Sequence, residues 1–301
     1  MKNEPKALLF GLLAVLLWST VATAFKLSLR HFTPIELLLY SGVFSTILLG
    51  AILLYQGKLK LTLQCSRQEY LLSAVMGLLS PFLYYLILFK AYDLLPAQQA
   101  QPLNYTWAIV LSLLAVPLLG QQIRWQQWLA LFVSYTGVVV ISTEGNLLSL
   151  QFTSPLGVAL ALVSTVIWAL YWIFNTRDGR DPIVALFVNF VFSFPFVFTY
   201  YLLTSDVRRP PLEGLLGAAY IGLFEMGACF VFWLMAMKLT DNTARISNLI
   251  FLSPFLSLVF IYYLLGEKIL VSTFVGLILI VAGLLCQQIK SRQKAGTDLS
   301  L

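Results

Sequence analysis

One acid stands where an acid is costly. Glu225 lies near the middle of Gly214–Met237, a run that is apolar on every side and long enough to cross the hydrocarbon layer of a bilayer. A carboxylate at that depth costs about 2.5–3.5 kcal/mol on insertion scales, so it is expected to face a polar interior rather than lipid. Two chemistries suit it there: binding the ammonium of a substrate, or carrying a coupling proton. A carboxylate bonded to a neighbouring helix for purely structural reasons is the alternative.

Other residues could share that interior. Lys26 ends the first apolar run, where its ammonium could hold a carboxylate, pair with an acid in a closed state, or snorkel to the headgroups. Arg245, with Asn248 three residues on, could attract a substrate carboxylate or simply anchor the chain. Gln98, Gln101, Tyr105, Ala108 and Ser112 follow three- and four-residue steps and share one helix face, with Asn104 beside it. Such a face can hydrogen-bond a small solute or bond across helices. Trp18, Trp168, Tyr171, Trp172, Tyr105 and Trp107 could box an apolar or aromatic side chain. Trp125, Trp128 and Tyr262 read instead as an interfacial belt.

These candidates need a scaffold, and composition names its kind. The chain has 301 residues, 59% hydrophobic and 11% charged, with mean hydropathy +0.86. Soluble proteins carry about 25% charged residues, so this is an integral membrane protein. The net charge of +6 is spread over short loops rather than clustered, which makes it a topology signal and not a nucleic-acid footprint. Cys65, Cys229 and Cys286 have no metal, redox or disulfide spacing, and His31 is the single histidine. No phosphate-binding GxxxxGK[ST] loop occurs, so no ATP site is expected. Neither a cofactor nor a metal is expected.

Ten nearly charge-free runs follow one another: Ala7–Phe25, Leu37–Gly57, Tyr70–Phe89, Leu94–Ile123, Trp125–Thr143, Gly145–Thr176, Pro182–Ser205, Gly214–Met237, Ile246–Gly266 and Ile269–Ile289. The two longest predict helices at about Ala97–Leu118 and Pro155–Phe174. Lys2, Lys6, a Leu-rich stretch and Ala22-Thr23-Ala24 imitate a signal peptide, but the first run has a partner later in the chain and is read as a retained helix. Of the 19 Lys and Arg, six (Lys26, Arg30, Lys90, Arg208, Arg209, Lys268) fall on one side. The other 13 fall on the opposite side, which places both termini in the cytoplasm.

The chain also repeats itself. Leu13–Thr20 can be laid on Val163–Leu170, with Trp18 over Trp168; Thr33-Pro34-Ile35 falls on Asp181-Pro182-Ile183; Leu119–Ile123 falls on Leu265–Ile269. Each copy holds five helices, so the second must be inverted relative to the first. Inverted repeats around a midplane site are characteristic of secondary transporters. The expected fold is all-α and membrane-integral, with ten transmembrane helices as two inverted five-helix repeats (7–143 and 155–289) and a cytoplasmic tail, 290–301. Pro81, Pro102, Pro117, Pro195 and Pro254 mark expected kinks. Gly276 and Gly283 mark close packing and a candidate dimer surface.

The sequence resembles the drug/metabolite transporter superfamily, in particular its EamA-type ten-helix exporters. The resemblance rests on Trp18-Ser19-Thr20 with Lys26 following, and on Leu265-Gly266-Glu267-Lys268 after the ninth run, where the first copy has Gln121 in place of the acid. Asn104-Tyr105-Thr106-Trp107 followed by Gly120-Gln121 is similar to the fourth helix of bacterial aromatic amino-acid exporters, with Ala108 where those have Pro. The resemblance implies export of small metabolites, with amino acids expected first, across the bacterial inner membrane by a monomer or homodimer. A broad-specificity exporter of drugs or cationic metabolites, driven by proton antiport, is the alternative. A membrane-embedded enzyme would need a nucleophile–base pair or metal cluster that these runs lack. A scaffold would leave Glu225 without a role.

Overall fold

In the computed structural model, residues 3–119, 125–146, 152–175, 178–240, 246 and 249–295 are described, and among them ten helical rods and no strand occur. They are α1 (Glu4–Ser28), α2 (Pro34–Tyr55), α3 (Arg67–Leu94), α4 (Ala97–Tyr105 then Trp107–Leu119) and α5 (Trp125–Ser142). The second set is α6 (Pro155–Asn175), α7 (Pro182–Thr204), α8 (Leu212–Tyr220, Ile221–Ala228 and Cys229–Leu239), α9 (Leu249–Leu252, Ser253–Phe260 and Ile261–Leu265) and α10 (Val271–Ala295). Six rods, α1, α2, α3, α6, α7 and α8, are long and apolar enough to span a membrane, and shorter apolar helices lie in α5, α9 and α10. The last helix runs on to Ala295, so the expected tail begins as helix.

Local sequence sets the ends. Thr33 and Ser66 cap α2 and α3 through full capping boxes with Glu36 and Glu69. Asn3 and Asp181 accept backbone N–H bonds at the starts of α1 and α7, and Pro occupies the first turn of both. Gly266 stops α9 in a left-handed conformation, φ 72°.

The two halves pair in matching ways. α1 packs along α8 as α6 packs along the second half of α3; α1 packs on α9 as α6 packs on α4; α2 meets α8 as α7 meets α3. α5 pairs with α10 and α2 with α7, each helix meeting its own counterpart. Contacts along these last pairs run in opposite directions. In α5–α10, Gly145 meets Ser272, Gly137 meets Gly276, and Ser134 meets Gly283. In α2–α7, Lys58 meets Asp181 and Gly50 meets Phe187. Antiparallel self-pairing is what an inverted repeat requires.

Three rods are broken within their length, two of them at prolines expected to kink them. α3 passes through a wide, five-residue-register turn at Leu78–Leu83, with Ser80 extended (φ −148°, ψ 125°) ahead of Pro81. α8 has the same kind of turn at Ile221–Ala228. α4, expected as one span kinked at Pro102, stops at Tyr105 and restarts at Trp107, three residues after that proline removes an N–H from the ladder. Pro254 opens a helical segment of α9, and Pro195 sits inside an unbroken α7. Irregular backbone at membrane depth is tolerated only where protein or a polar cavity satisfies the freed groups. Ser45 of α2 does this for α8, donating to the Met226 carbonyl at 3.1 Å.

Gly276 and Gly283 face inward, not outward. A Cβ on Gly276 would lie 2.6 Å from the Gly137 carbonyl oxygen, and one on Gly283 would lie 2.5 Å from that of Ala130. Both glycines are spent on α5 of the same chain, so the dimer surface suggested by their spacing is not formed by them.

Candidate functional site

The wide turn in α8 carries Glu225, and that turn decides its surroundings. A five-residue register rotates the segment relative to a regular helix and leaves carbonyls free, a feature frequent at functional sites. Gly222 allows the turn to press on α2: a Cβ there would lie 2.8 Å from Phe44 and 3.0 Å from the Ser45 nitrogen. Glu225 Oε1 accepts from the Tyr85 hydroxyl at 3.5 Å, and the Trp18 indole is a second neighbour. Its Oε2 is enclosed and accepts no hydrogen bond. No lysine or arginine pairs with this carboxylate among the described residues.

Aromatic rings from five rods surround this layer. Tyr84 stacks on Trp168 (4.4 Å between centroids, 22° between planes) and meets Tyr85 edge-on at 4.8 Å. Trp168 stacks on Tyr171 and meets Trp172 edge-on at 5.8 Å. Trp18 packs on Trp233 at 5.4 Å, and Phe230 touches both Trp18 and Trp168. The Trp172 indole nitrogen is enclosed without a partner. Tyr84, Tyr85, Tyr105 and Cys229 all lie within electrostatic reach of Glu225.

The amide face of α4 divides into two. Asn104 belongs to the aromatic layer: it accepts from the Tyr84 hydroxyl at 3.3 Å and donates to Ser164 Oγ of α6 at 3.1 Å. Gln101, one turn nearer the loop, is buried with its carbonyl oxygen unpartnered. Gln98 is structural instead, tied to Lys268, Leu270 and Thr273 at the start of α10. Gln99, off the expected face, is wholly buried and donates to Glu144 and Thr153. Lys26 does not reach this layer; its ammonium donates to the Tyr92 and Leu95 carbonyls. Arg245 and Asn248 lie outside the described residues, as does the Ser112 side chain.

Four participants escaped the sequence reading. Tyr84, Tyr85, Phe230 and Trp233 sit in apolar runs where aromatics are common, and nothing in their spacing sets them apart. Only the break at Leu78–Leu83, foreshadowed by Ser80-Pro81, turns Tyr84 and Tyr85 toward Trp168 and Glu225.

An enclosed acid in a broken helix, ringed by aromatics between two inverted halves, is an arrangement that could hold a solute inside a membrane. The sequence matches the EamA-like transporter family over residues 5–143 and 155–287. The chain belongs to that family. It is therefore a multi-pass membrane transporter of the drug/metabolite superfamily, not an enzyme. Three relatives described as uncharacterized transporters agree along their length. One from Archaeoglobus fulgidus is 24% identical over 93% of this chain and 96% of its own. One from Clostridium kluyveri is 26% identical over 98% and 96%. YvbV of Bacillus subtilis is 27% identical over 98% and 96%. A solved crystal structure shares the fold at TM-score 0.67 and 22% identity, covering 97% of this chain and 99% of that one.

Proposed function

We propose that this EamA-family transporter exports small metabolites bearing an ammonium group, amino acids first, across the bacterial inner membrane. It does so by alternating access, with the repeats 7–143 and 155–289 rocking about the aromatic layer and both termini in the cytoplasm. The observation that carries this reading is Glu225 Oε2, an enclosed acceptor without a partner inside a break in α8. A substrate ammonium would supply the missing donor, and Trp18, Trp168, Trp172 and Tyr105 would cover an apolar or aromatic tail. Gln101 and Asn104 would take the remaining polar contacts.

One observation favours a second reading, transport of cationic metabolites or drugs. A zwitterion needs a cation for its carboxylate, and Lys26 is committed to backbone carbonyls at the end of α3. An amine without a carboxylate needs only Glu225 and the rings.

The test is uptake into proteoliposomes of labelled amino acids and the amines obtained by decarboxylating them, for wild type and Glu225→Gln, at two pH gradients. Saturable uptake that Glu225→Gln abolishes even in exchange mode puts Glu225 in the binding site. Loss of only the pH-driven component makes it the proton carrier. Full activity in the variant returns Glu225 to a structural role. Amines transported in preference to amino acids would decide for the second reading.

A further inference from the structure

The loop between α3 and α4 ends one helix and begins the next, and both ends are held by an opposite charge from elsewhere in the chain. At the carbonyl end of α3, Lys26 Nζ of α1 donates to Tyr92 O at 2.8 Å and Leu95 O at 3.0 Å. At the amide end of α4, Glu267 accepts from Ala97 N at 2.9 Å and Gln98 N at 3.2 Å. A cation at a helix C-terminus and an anion at a helix N-terminus are each the favourable sign. Gln98 locks the second contact: its oxygen accepts from Leu270 N and the Thr273 hydroxyl, both at 3.0 Å, and its amide donates to Lys268 O at 2.9 Å. The two repeats are therefore tied to each other across this end, α4 to the α9–α10 turn.

We propose that this two-charge clasp is the latch of the outer gate, holding the transporter closed on that side. The proposal rests on the alternating-access reading above. Parting α1, which packs on α8 and α9, from α3, which packs on α6, breaks the Lys26 bonds, and parting α4 from the α9–α10 turn breaks those of Glu267. Opening this end therefore loses charge-assisted bonds to four backbone groups, and the clasp displaces the equilibrium between the two facing states toward the outward-closed one.

The experiment reads accessibility, not transport. In full-length protein carrying Cys65→Ser, Cys229→Ala and Cys286→Ser, a reporter is placed by Gln101→Cys, a buried α4 position one turn beneath the clasp. Intact cells and inverted vesicles are treated with a membrane-impermeant maleimide. Lys26→Met and Glu267→Gln are each expected to speed labelling from the outside by about tenfold, the change that losing one charge-assisted hydrogen bond gives. Lys90→Gln, which removes a nearby exposed cation paired with Asp93, is expected to change nothing. Thr273→Val, a milder loss of one Gln98 bond, is the substitute for any variant that is not monodisperse, with a smaller rise in the same direction. Unchanged labelling in the folded clasp variants overturns the latch, and so does a rise seen only in inverted vesicles. A rise together with no transport of any amine or amino acid by the wild-type protein keeps the latch and overturns the substrate reading.

Discussion

Trp18 and Trp168, matched positions of the two repeats, both pack on Phe230, at centroid distances of 6.4 and 6.2 Å. The ring lies one turn and a residue beyond Glu225, so the break that presents the acid also delivers the wedge between the two indoles. Replacing it should loosen the layer without emptying it. Phe230→Leu is expected to raise the half-saturation concentration for substrate about tenfold while costing about 1 kcal/mol of stability. Uptake kinetics together with a thermal unfolding midpoint check this; unchanged half-saturation would take Phe230 out of the substrate's surroundings.

Asn104 joins Tyr84 of α3 to Ser164 of α6. Interhelical bonds of this kind in membranes average about 0.6 kcal/mol. A double-mutant cycle with Asn104→Leu and Ser164→Ala should give a coupling of about that size. A cycle that adds without coupling would mean that the bond does not hold α4 to α6.

The α5–α10 seam leaves no room for a methyl group at Gly276, which meets the Gly137 carbonyl and the Ile141 side chain. Gly276→Ala is expected to cost about 1–3 kcal/mol through overpacking, read as a lowered unfolding midpoint in detergent. Gly42→Ala has open space around the new atom and should leave the midpoint where it is.

In the segment before α7, Arg180 holds Asp178 through bonds of 2.6, 2.9 and 3.1 Å and donates to Ser73 of α3 at 2.8 Å. Burial of Asp178 pushes its carboxyl upward, but the bonds to Arg180 outweigh that and leave it below the usual carboxylate range. A carboxyl held low in the folded state stabilises at pH above that usual range. The contribution fades as pH falls from about 4 through the lowered value. The unfolding midpoint of wild type should exceed that of Asp178→Asn near neutrality, and the gap should close on acidification. A gap independent of pH would assign the effect to packing.

The family and the membrane fold were legible because both are written in local sequence. Apolar runs of bilayer length fix the number of helices, since lipid offers the backbone no other partner than itself. The repeat showed in a few short matches, and Glu225 showed because one charge in an apolar run is conspicuous. Lys26 and Gln98 were visible as polar residues, but their roles were not. An ammonium that binds a carboxylate and one that binds two helix-end carbonyls look the same in a sequence.

What the sequence determined alone was the set of helices, the internal duplication and the family to which it belongs. Tertiary structure decided the rest: that α8 breaks around Glu225, that Tyr84, Tyr85 and Phe230 complete the layer, and that Gly276 and Gly283 pack inside the chain. The reason is the uniformity of the solvent. Lipid treats all sides of an apolar helix alike, so hydrophobic patterning does not mark which side faces a neighbour. That choice falls to small residues, freed carbonyls and a few polar bonds between segments far apart in the chain, and those meet only once the helices are packed.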